Sequence, residues 1–347
     1  MDWFERLTGF LETSYEGTRC QLEIQGTQLH SRINGKSYAI GTLELVSLGE
    51  LRQRVQAAGS LPGRLKVRVV RGDVRLLHQA PEYADALFQV ASQFNLLEMV
   101  SPNVTPEQGV TRYEGDPTQG PACAIAAGAA TIYRNYFAPV AGGIGQTHDR
   151  QLDGLADLGA ALEEAIGKAQ GQPVEPLWDM RNGYAMGTRS GLDAITAHLA
   201  SITGGEIDAL RGRLRIGVHS DVEVTDASGP ADLSDHPRTR VSQAFCSALP
   251  VSYSRVPKAA WRLFACLVLE AAYEATLWAG VLNAQRGNSN VVLLTRLGGG
   301  AFGNDDDWID AAMRRALDKV VGFALDVQLV SRSAPSRELL QMVRDFE

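Results

Sequence analysis

Cysteine is scarce in this chain, and so is every pattern that would turn it into a scaffold or a metal site. Four cysteines in 347 residues, Cys20, Cys123, Cys246 and Cys266, lie far apart and form no pair at metal-ligand spacing. Cys123, Cys246 and Cys266 sit among small or apolar neighbours and read as buried free thiols, which fits a reducing, cytoplasmic setting. The six histidines are scattered, with no H-x-x-x-H pair, so no zinc site is expected. An excess of positive charge is missing as well. The formal net charge of −7 argues against a nucleic-acid backbone as partner. The opening Met1-Asp2-Trp3-Phe4-Glu5-Arg6 is charged and lacks an apolar core, so no secretory leader is expected. No long hydrophobic run is uninterrupted. The most apolar stretch, Trp261 to Leu282, carries Arg262, Glu270, Tyr273 and Glu274, and reads as a buried core helix rather than a membrane span.

What is present is an ordinary soluble composition, 45% hydrophobic and 21% charged, over a length that suits one large domain or two smaller ones. Cys20 to Ile24 alternates apolar with polar, and Asn34-Gly35 is a hairpin-turn signal between Leu29–Arg32 and Tyr38–Ile40. Residues 1–60 are therefore expected to be a β-rich extension closing on a helix over Leu48 to Ala58. Leu65 to Val70 is a β-branched strand. Glu82 to Gln93 reads as helix or mixed structure, with Phe88 to Ala91 open as a strand end. Ser101 to Pro121 is rich in proline and glycine, and a loop of that length is usually functional or disordered. Ala122 to Tyr136 follows as a small-residue helix. An excursion and helices from about 138 to 205 include an amphipathic segment, Tyr184 to Ile202. Strands at Leu214 to Val218, Val241 to Tyr253, Val291 to Leu294 and Ala324 to Leu329 alternate with helices at Trp261 to Leu282 and Trp308 to Val321. This alternation predicts an α/β three-layer sandwich.

The segment Val291 to Asn304 is the most informative. A short apolar strand runs into Gly298-Gly299-Gly300-Ala301-Phe302-Gly303-Asn304, and a helix starts near Asp305. Glycines allow close backbone approach, and a helix start offers free N–H groups and a positive dipole end, the geometry that holds phosphates. A P-loop is excluded because Gly303 is followed by Asn304 and Asp305 rather than by Lys and Ser or Thr. Gly298, Gly300 and Gly303 satisfy G-x-G-x-x-G, but no acidic residue closes the strand ending near Val330 as a dinucleotide fold requires.

Gly299 to Asp305 resembles the second phosphate loop of macrodomains, above all of their poly(ADP-ribose) glycohydrolase-like branch. Gln93 to Glu98 and Tyr113 to Ala122 resemble the first ligand loop of a divergent branch, the arginine-specific ADP-ribosylhydrolases, which includes a bacterial effector acting on ADP-ribosylated ubiquitin. Gln243 to Val251 and Glu270 to Thr276 resemble that branch too, so the likeness spans roughly residues 85 to 330. The chain departs from poly(ADP-ribose) glycohydrolases in having no Gly-Gly-Gly run after Asn95 and no paired glutamates. The nearest acids are Glu98, Glu107, Glu114 and Asp116.

The resemblance implies a macrodomain-like α/β/α sandwich with a mixed sheet over residues 61–347, carrying a helical insertion near 138–205 behind the extension of residues 1–60. It implies an enzyme that removes mono-ADP-ribose from arginine on a modified protein, or else a non-catalytic module that binds ADP-ribose. Ubiquitin is the one partner a relative suggests, with a host cytosol as the compartment if the chain is an effector. ADP-ribose is the expected ligand and product, no cofactor is required, and Mg²⁺ is chemically possible at clustered carboxylates but not expected. Expected ligand contacts are Gln93, Asn95, Glu98, Asp116, Thr118, Gln119 and Gly120 from the first loop, and Gly299, Gly300, Ala301, Phe302, Gly303 and Asn304 from the second. Thr118 is equally a plain helix cap, and Phe302 equally a core anchor.

Breaking the arginine N-glycosidic bond passes through an oxocarbenium-like state, which carboxylates stabilise, and the guanidinium itself seeks carboxylates. The densest acids are Asp221, Glu223 and Asp226, followed by Asp232 and Asp235. Asp221, Glu223 and Asp226 are therefore the expected catalytic group, with Asp221 and Glu223 on one strand face and Asp116 in reserve. A solvated acidic loop is the alternative.

Overall fold

The computed structural model of the protein describes residues 1–59, 61–171, 175–226 and 238–347. The chain opens with helices α1 (Trp3–Thr8) and α2 (Tyr15–Cys20) and a small antiparallel sheet of β1 (Leu22–Gln25), β2 (Gln28–Ser31) and β3 (Ser37–Ala39). Then come β4 (Thr42–Ser47), α3 (Leu48–Ala58), β5 (Lys66–Arg71), α4 (Val74–Gln79) and β6 (Leu87–Ala91). A long loop leads to α5 (Gln119–Ala126) and α6 (Gly128–Tyr136). Two hairpins, β7 (Pro139–Val140) with β8 (Gly143–Ile144) and β9 (Trp178–Arg181) with β10 (Tyr184–Gly187), flank α7 (Ala156–Gln170). Helices α8 (Arg189–Ser201) and α9 (Gly204–Arg211) lead to β11 (Arg215–Glu223) and β12 (Arg240–Cys246). The chain closes with α10 (Lys258–Gln285), β13 (Val291–Leu294), α11 (Asp306–Lys319), β14 (Asp326–Ser331) and α12 (Arg337–Asp345).

Seven strands form one mixed sheet in the order β4-β11-β12-β6-β13-β14-β5. β11 pairs antiparallel with both β4 and β12, while β12, β6, β13, β14 and β5 pair in parallel. Alternate strand residues enter two different cores. Leu87, Ala244 and Val292 pack with α3 and α7 to α12, whereas Phe88, Phe245 and Leu293 pack with α4, α5 and α6. The protein is thus an α/β fold with a helical layer on each face of the sheet. Strands covered on both sides need apolar residues throughout, which is why β13 reads Val-Val-Leu-Leu without alternation. α10 is long and apolar enough to cross a membrane by length and composition, yet 78% of its most apolar window is buried inside the fold. It is the central helix of the thicker layer.

The expected division after residue 60 runs through this sheet. β4 is its edge strand and α3 packs into the main core through Leu48, Leu51 and Val55. The appended part is the segment before residue 42. Its Trp3, Phe4, Leu7, Leu22, Leu29 and Tyr38 pack on the loop after β6 and on the outer face of α5 and α6. Three local expectations also change. Residues 82–93 contain β6 rather than a helix. The small-residue helix divides at Ala127, whose ψ of 58 lies outside the helical range. Tyr184 opens β10, because Asn182-Gly183, with φ of +46 and +80, is the hairpin turn and not a helix start.

Candidate functional site

β6, β12 and β13 end at the same edge of the sheet, and the loops that leave them enclose a cleft of about 770 Å³ of open space. It sits at the carboxyl ends of the parallel strands, where the ligand sites of open α/β sheets form. Its lining includes Gln93, Glu98 and Asp116, the start of α5, and the glycine loop after β13.

The loop after β6 is folded tightly on itself. The Asn95 side chain accepts from the Leu97 amide at 3.0 Å and donates to Gln151 at 2.8 Å, while Leu96 takes a φ of +64. Gln93 accepts from the Met99 amide at 2.8 Å and donates to the Met99 carbonyl and the Tyr184 hydroxyl. Asn95 is fully buried outside the cleft, and Gln93 borders it with its amide already engaged. Both shape the loop; Asn95 does not reach the cleft, a correction to its expected ligand contact, while Gln93 keeps its place at the wall.

The same turn points Glu98 inward. Its side chain is buried behind α5, where a Cβ on Gly120 would lie 3.1 Å from Glu98 Cγ and 2.0 Å from the Ala91 carbonyl. Among the described residues neither carboxyl oxygen has a hydrogen-bond partner, and Arg134 Nη2 stands 3.6 Å away. Burial pushes the Glu98 carboxyl up to about 8, against the opposing pull of Arg134. A carboxyl so displaced at the wall of a cleft is a candidate functional group. Asp116 borders the same cleft, half-buried, with one oxygen accepting from the Thr118 amide at 2.9 Å. The other two nearby acids go elsewhere, Glu107 to His148 and Glu114 to Arg6.

Thr118 occupies the cap position of α5, but its hydroxyl makes no capping bond. Gln119 accepts from the Ala91 amide and donates to the Gln89 carbonyl, tying the helix start to β6. The amides of Gln119 and Gly120 are left without acceptors among the described residues, and both residues line the cleft.

Across the cleft, Gly298, Gly300, Ala301 and Phe302 line the wall. Among the described residues the amides of Gly300, Ala301 and Phe302 find no acceptor, whereas those of Gly299, Gly303 and Asn304 bond within the loop. Successive free amides in a turn are the groups from which anion sites are built. Gly299, Gly303 and Asn304 do not line the cleft, which corrects their expected contacts. Gly303, at a φ of +70, abuts Ser252, and Asn304 donates to the Leu249 carbonyl at 2.9 Å. The acids after the loop turn away: Asp305 pairs with Lys258, and Asp306 and Asp310 hold Arg296.

Tyr184, Tyr253 and Arg296, none of them expected as site residues from the sequence, complete the wall. Phe302, Tyr184 and Tyr253 form a cluster with ring centres 5.3–5.6 Å apart, so Phe302 is both anchor and cleft surface. Arg296 separates this cleft from a second groove along the same edge, which is bordered by Asp73, Thr118, Gln119, Thr295 and Arg332.

The expected catalytic acids lie at the other edge. Glu223 is opposite Arg240, six residues from Cys246, so it sits about 20 Å along the strand from the cleft. Glu223 pairs with Arg238 at 2.6 Å and accepts from the Ala39 amide. Asp226 is held by Arg75 and Gln79. Asp221 accepts from Asn288 at 3.0 Å in a left-handed conformation, φ +59, at a bulge between His219 and Val222. The bulge breaks the simple alternation that would put Asp221 and Glu223 on one face. All three have structural partners here. Asp232 and Asp235 lie outside the described residues. Among the described residues no three His, Cys, Asp or Glu side chains gather as a metal site.

No protein-family model matches the chain. No curated protein matches it either. Among solved structures it is similar to poly(ADP-ribose) glycohydrolase from Deinococcus radiodurans in complex with ADP-ribose, at 14% identity and a TM-score of 0.44, covering 88% of this chain and 92% of that one. It is also similar to the glycohydrolase from Thermomonospora curvata, at 13% identity and a TM-score of 0.41, covering 96% of each chain.

Proposed function

We propose that the protein binds ADP-ribose in this cleft and hydrolyses the N-glycosidic bond that joins mono-ADP-ribose to an arginine side chain. The observation that carries the reading is the meeting, in one cleft, of three free consecutive amides at Gly300 to Phe302 with two carboxyl groups, Asp116 and Glu98. The amides suit the diphosphate, and the free N–H groups at the start of α5 face it from the other side. ADP-ribose carries a ribose-bearing arm on each side of its diphosphate. The site offers a space for each: the aromatic-walled cleft for the terminal ribose, and the groove beyond Arg296 for the adenosine.

In the reaction the bond between C1″ and the guanidinium nitrogen breaks with its electron pair going to nitrogen. Because the guanidinium enters cationic, it leaves as neutral guanidine without an added proton. Positive charge develops at C1″, and Asp116 is the group open to the cleft that stabilises it. Water adds to C1″, and its proton passes to Asp116 and on to the departing guanidine. Glu98, neutral near pH 7 through its burial, leaves Asp116 as the charge that meets the substrate. Every step is assigned to side chains and water.

The test is ADP-ribose release from arginine-ADP-ribosylated protein beside serine- and glutamate-linked controls, with calorimetry on free ADP-ribose. Release from the arginine substrate alone is the expected result. Binding without release would make the protein an ADP-ribose reader, and neither would end the proposal.

A further inference from the structure

We propose that Glu12, in the N-terminal extension, is a positioning residue that sets the place of both cleft carboxyls, an inference that rests on the hydrolase reading above. Glu12 reaches from the segment between α1 and α2 to the loop that carries the acids. Its Oε1 accepts from the Val110 amide at 2.9 Å and from the Tyr136 hydroxyl at 2.7 Å, and its Oε2 accepts from the Thr111 amide at 2.7 Å. Hydrogen bonds to a carboxylate are about twice as strong as neutral ones, so this is the firmest polar link between extension and loop. Gly109 is fitted to it: its φ is +80, and a Cβ there would stand 2.3 Å from the Glu12 carboxyl carbon.

The clamp acts on a short turn with two outputs. Val110 and Thr111 lead into the 3-10 turn Thr111–Gly115. Within it, the Tyr113 hydroxyl accepts from the Glu98 amide at 3.0 Å, and the Tyr113 carbonyl accepts from the Asp116 amide at 3.1 Å. A shift of the turn therefore moves Glu98 and Asp116 together. Trp3, Phe4 and Leu7 pack in one apolar cluster with Val110 and Tyr113, and the remaining polar grips are weaker than the Glu12 bonds. Trp3 Nε1 reaches the Thr111 carbonyl at 3.3 Å, and the Arg6–Glu114 pair is 3.6 Å long with both side chains more than a third exposed. Glu12 touches no part of the cleft, and its effect passes through the turn.

The experiment compares the full chain with Glu12→Gln, Glu12→Asp and, as a control in the same extension, Glu16→Gln, whose exposed side chain pairs with Arg19. Three quantities are read: amide hydrogen exchange at Val110 and Thr111, the Kd for ADP-ribose, and kcat on an arginine-linked substrate. Glu12→Gln is expected to speed exchange at both amides and lower kcat about 30-fold, with Kd changed less than about threefold, as a displaced reacting group requires. Glu12→Asp should recover part of the loss, and Glu16→Gln should change nothing. Faster exchange with unchanged kcat would overturn the proposal and leave the extension a stabiliser only. Unchanged exchange would overturn the clamp itself. If the wild type binds ADP-ribose but releases none from protein, the hydrolase reading falls and the coupling with it, while the exchange data still report whether Glu12 holds the turn. Should Glu12→Gln not fold, Gly109→Ala, which drives a methyl group against the carboxylate, takes its place.

Discussion

The two edges of the sheet carry acids of opposite character. At the amino-terminal edge of the parallel strands, Asp221, Glu223 and Asp226 are each matched by Asn288, Arg238 or Arg75. At the carboxyl-terminal edge, Glu98 is buried with Arg134 3.6 Å away and no hydrogen bond to its oxygens among the described residues, and Asp116 borders the cleft beside Gly300, Ala301 and Phe302. Satisfied carboxylates hold the fold together. A carboxyl placed against burial, beside a space a ligand can enter, is available for chemistry. Density of acids along a sequence distinguishes neither case.

Substitutions at the two edges should separate sharply. Asp116→Asn is expected to lower turnover on an arginine-linked substrate by about 10²–10⁴-fold while ADP-ribose affinity, read by calorimetry, changes little. Equal loss of affinity and turnover would break the contrast. The pH dependence of folding sharpens it next. Glu98 is raised from about 4.5 to about 8, so the folded state holds its proton more tightly than the unfolded chain. Its stabilising contribution is full below about pH 4.5 and is lost as pH rises toward 8, at up to about 1.4 kcal/mol per pH unit. Denaturant melts of wild type and Glu98→Gln across that window should show the variant gaining stability relative to wild type as pH rises, and parallel curves would contradict it.

Smaller effects follow. Ala301→Pro deletes one of the three free amides and should weaken ADP-ribose binding about tenfold without lowering the melting temperature by more than a few degrees. At the opposite edge, Asp226→Asn should cost about 2 kcal/mol of stability through its bonds to Arg75, with kcat unchanged within about twofold. Loss of turnover in a folded Asp226→Asn protein would return catalysis to that edge.

Much of the fold was legible. The β-branched run at Leu65 to Val70, the Asn34-Gly35 turn, the apolar strand before Gly298 and the long helix around Trp261 to Leu282 all form as patterned. β6 was ambiguous because a strand buried on both faces loses its alternation, and Leu87-Phe88-Gln89-Val90-Ala91 carries none. The amphipathic pattern over Tyr184 to Ile202 conceals the Asn182-Gly183 hairpin turn, and with it an aromatic of the cleft wall. The phosphate-type loop is readable as a whole, though only the structure divides it into residues that line the cleft and residues that brace the loop. Asp116 ranked second in sequence because ion pairing and a bulge, both long-range or backbone features, are invisible in the order of residues. Tyr253, Arg296 and Glu12 gave no local signal, since each acquires its position from partners far along the chain.

The most direct test is a crystal structure of the protein with ADP-ribose bound. The account predicts the diphosphate within hydrogen-bond distance of the Gly300, Ala301 and Phe302 amides, the terminal ribose against Asp116, and the adenosine in the groove beside Asp73. ADP-ribose bound at the opposite edge near Asp221, or in the cleft with its adenosine against Asp116, would contradict it.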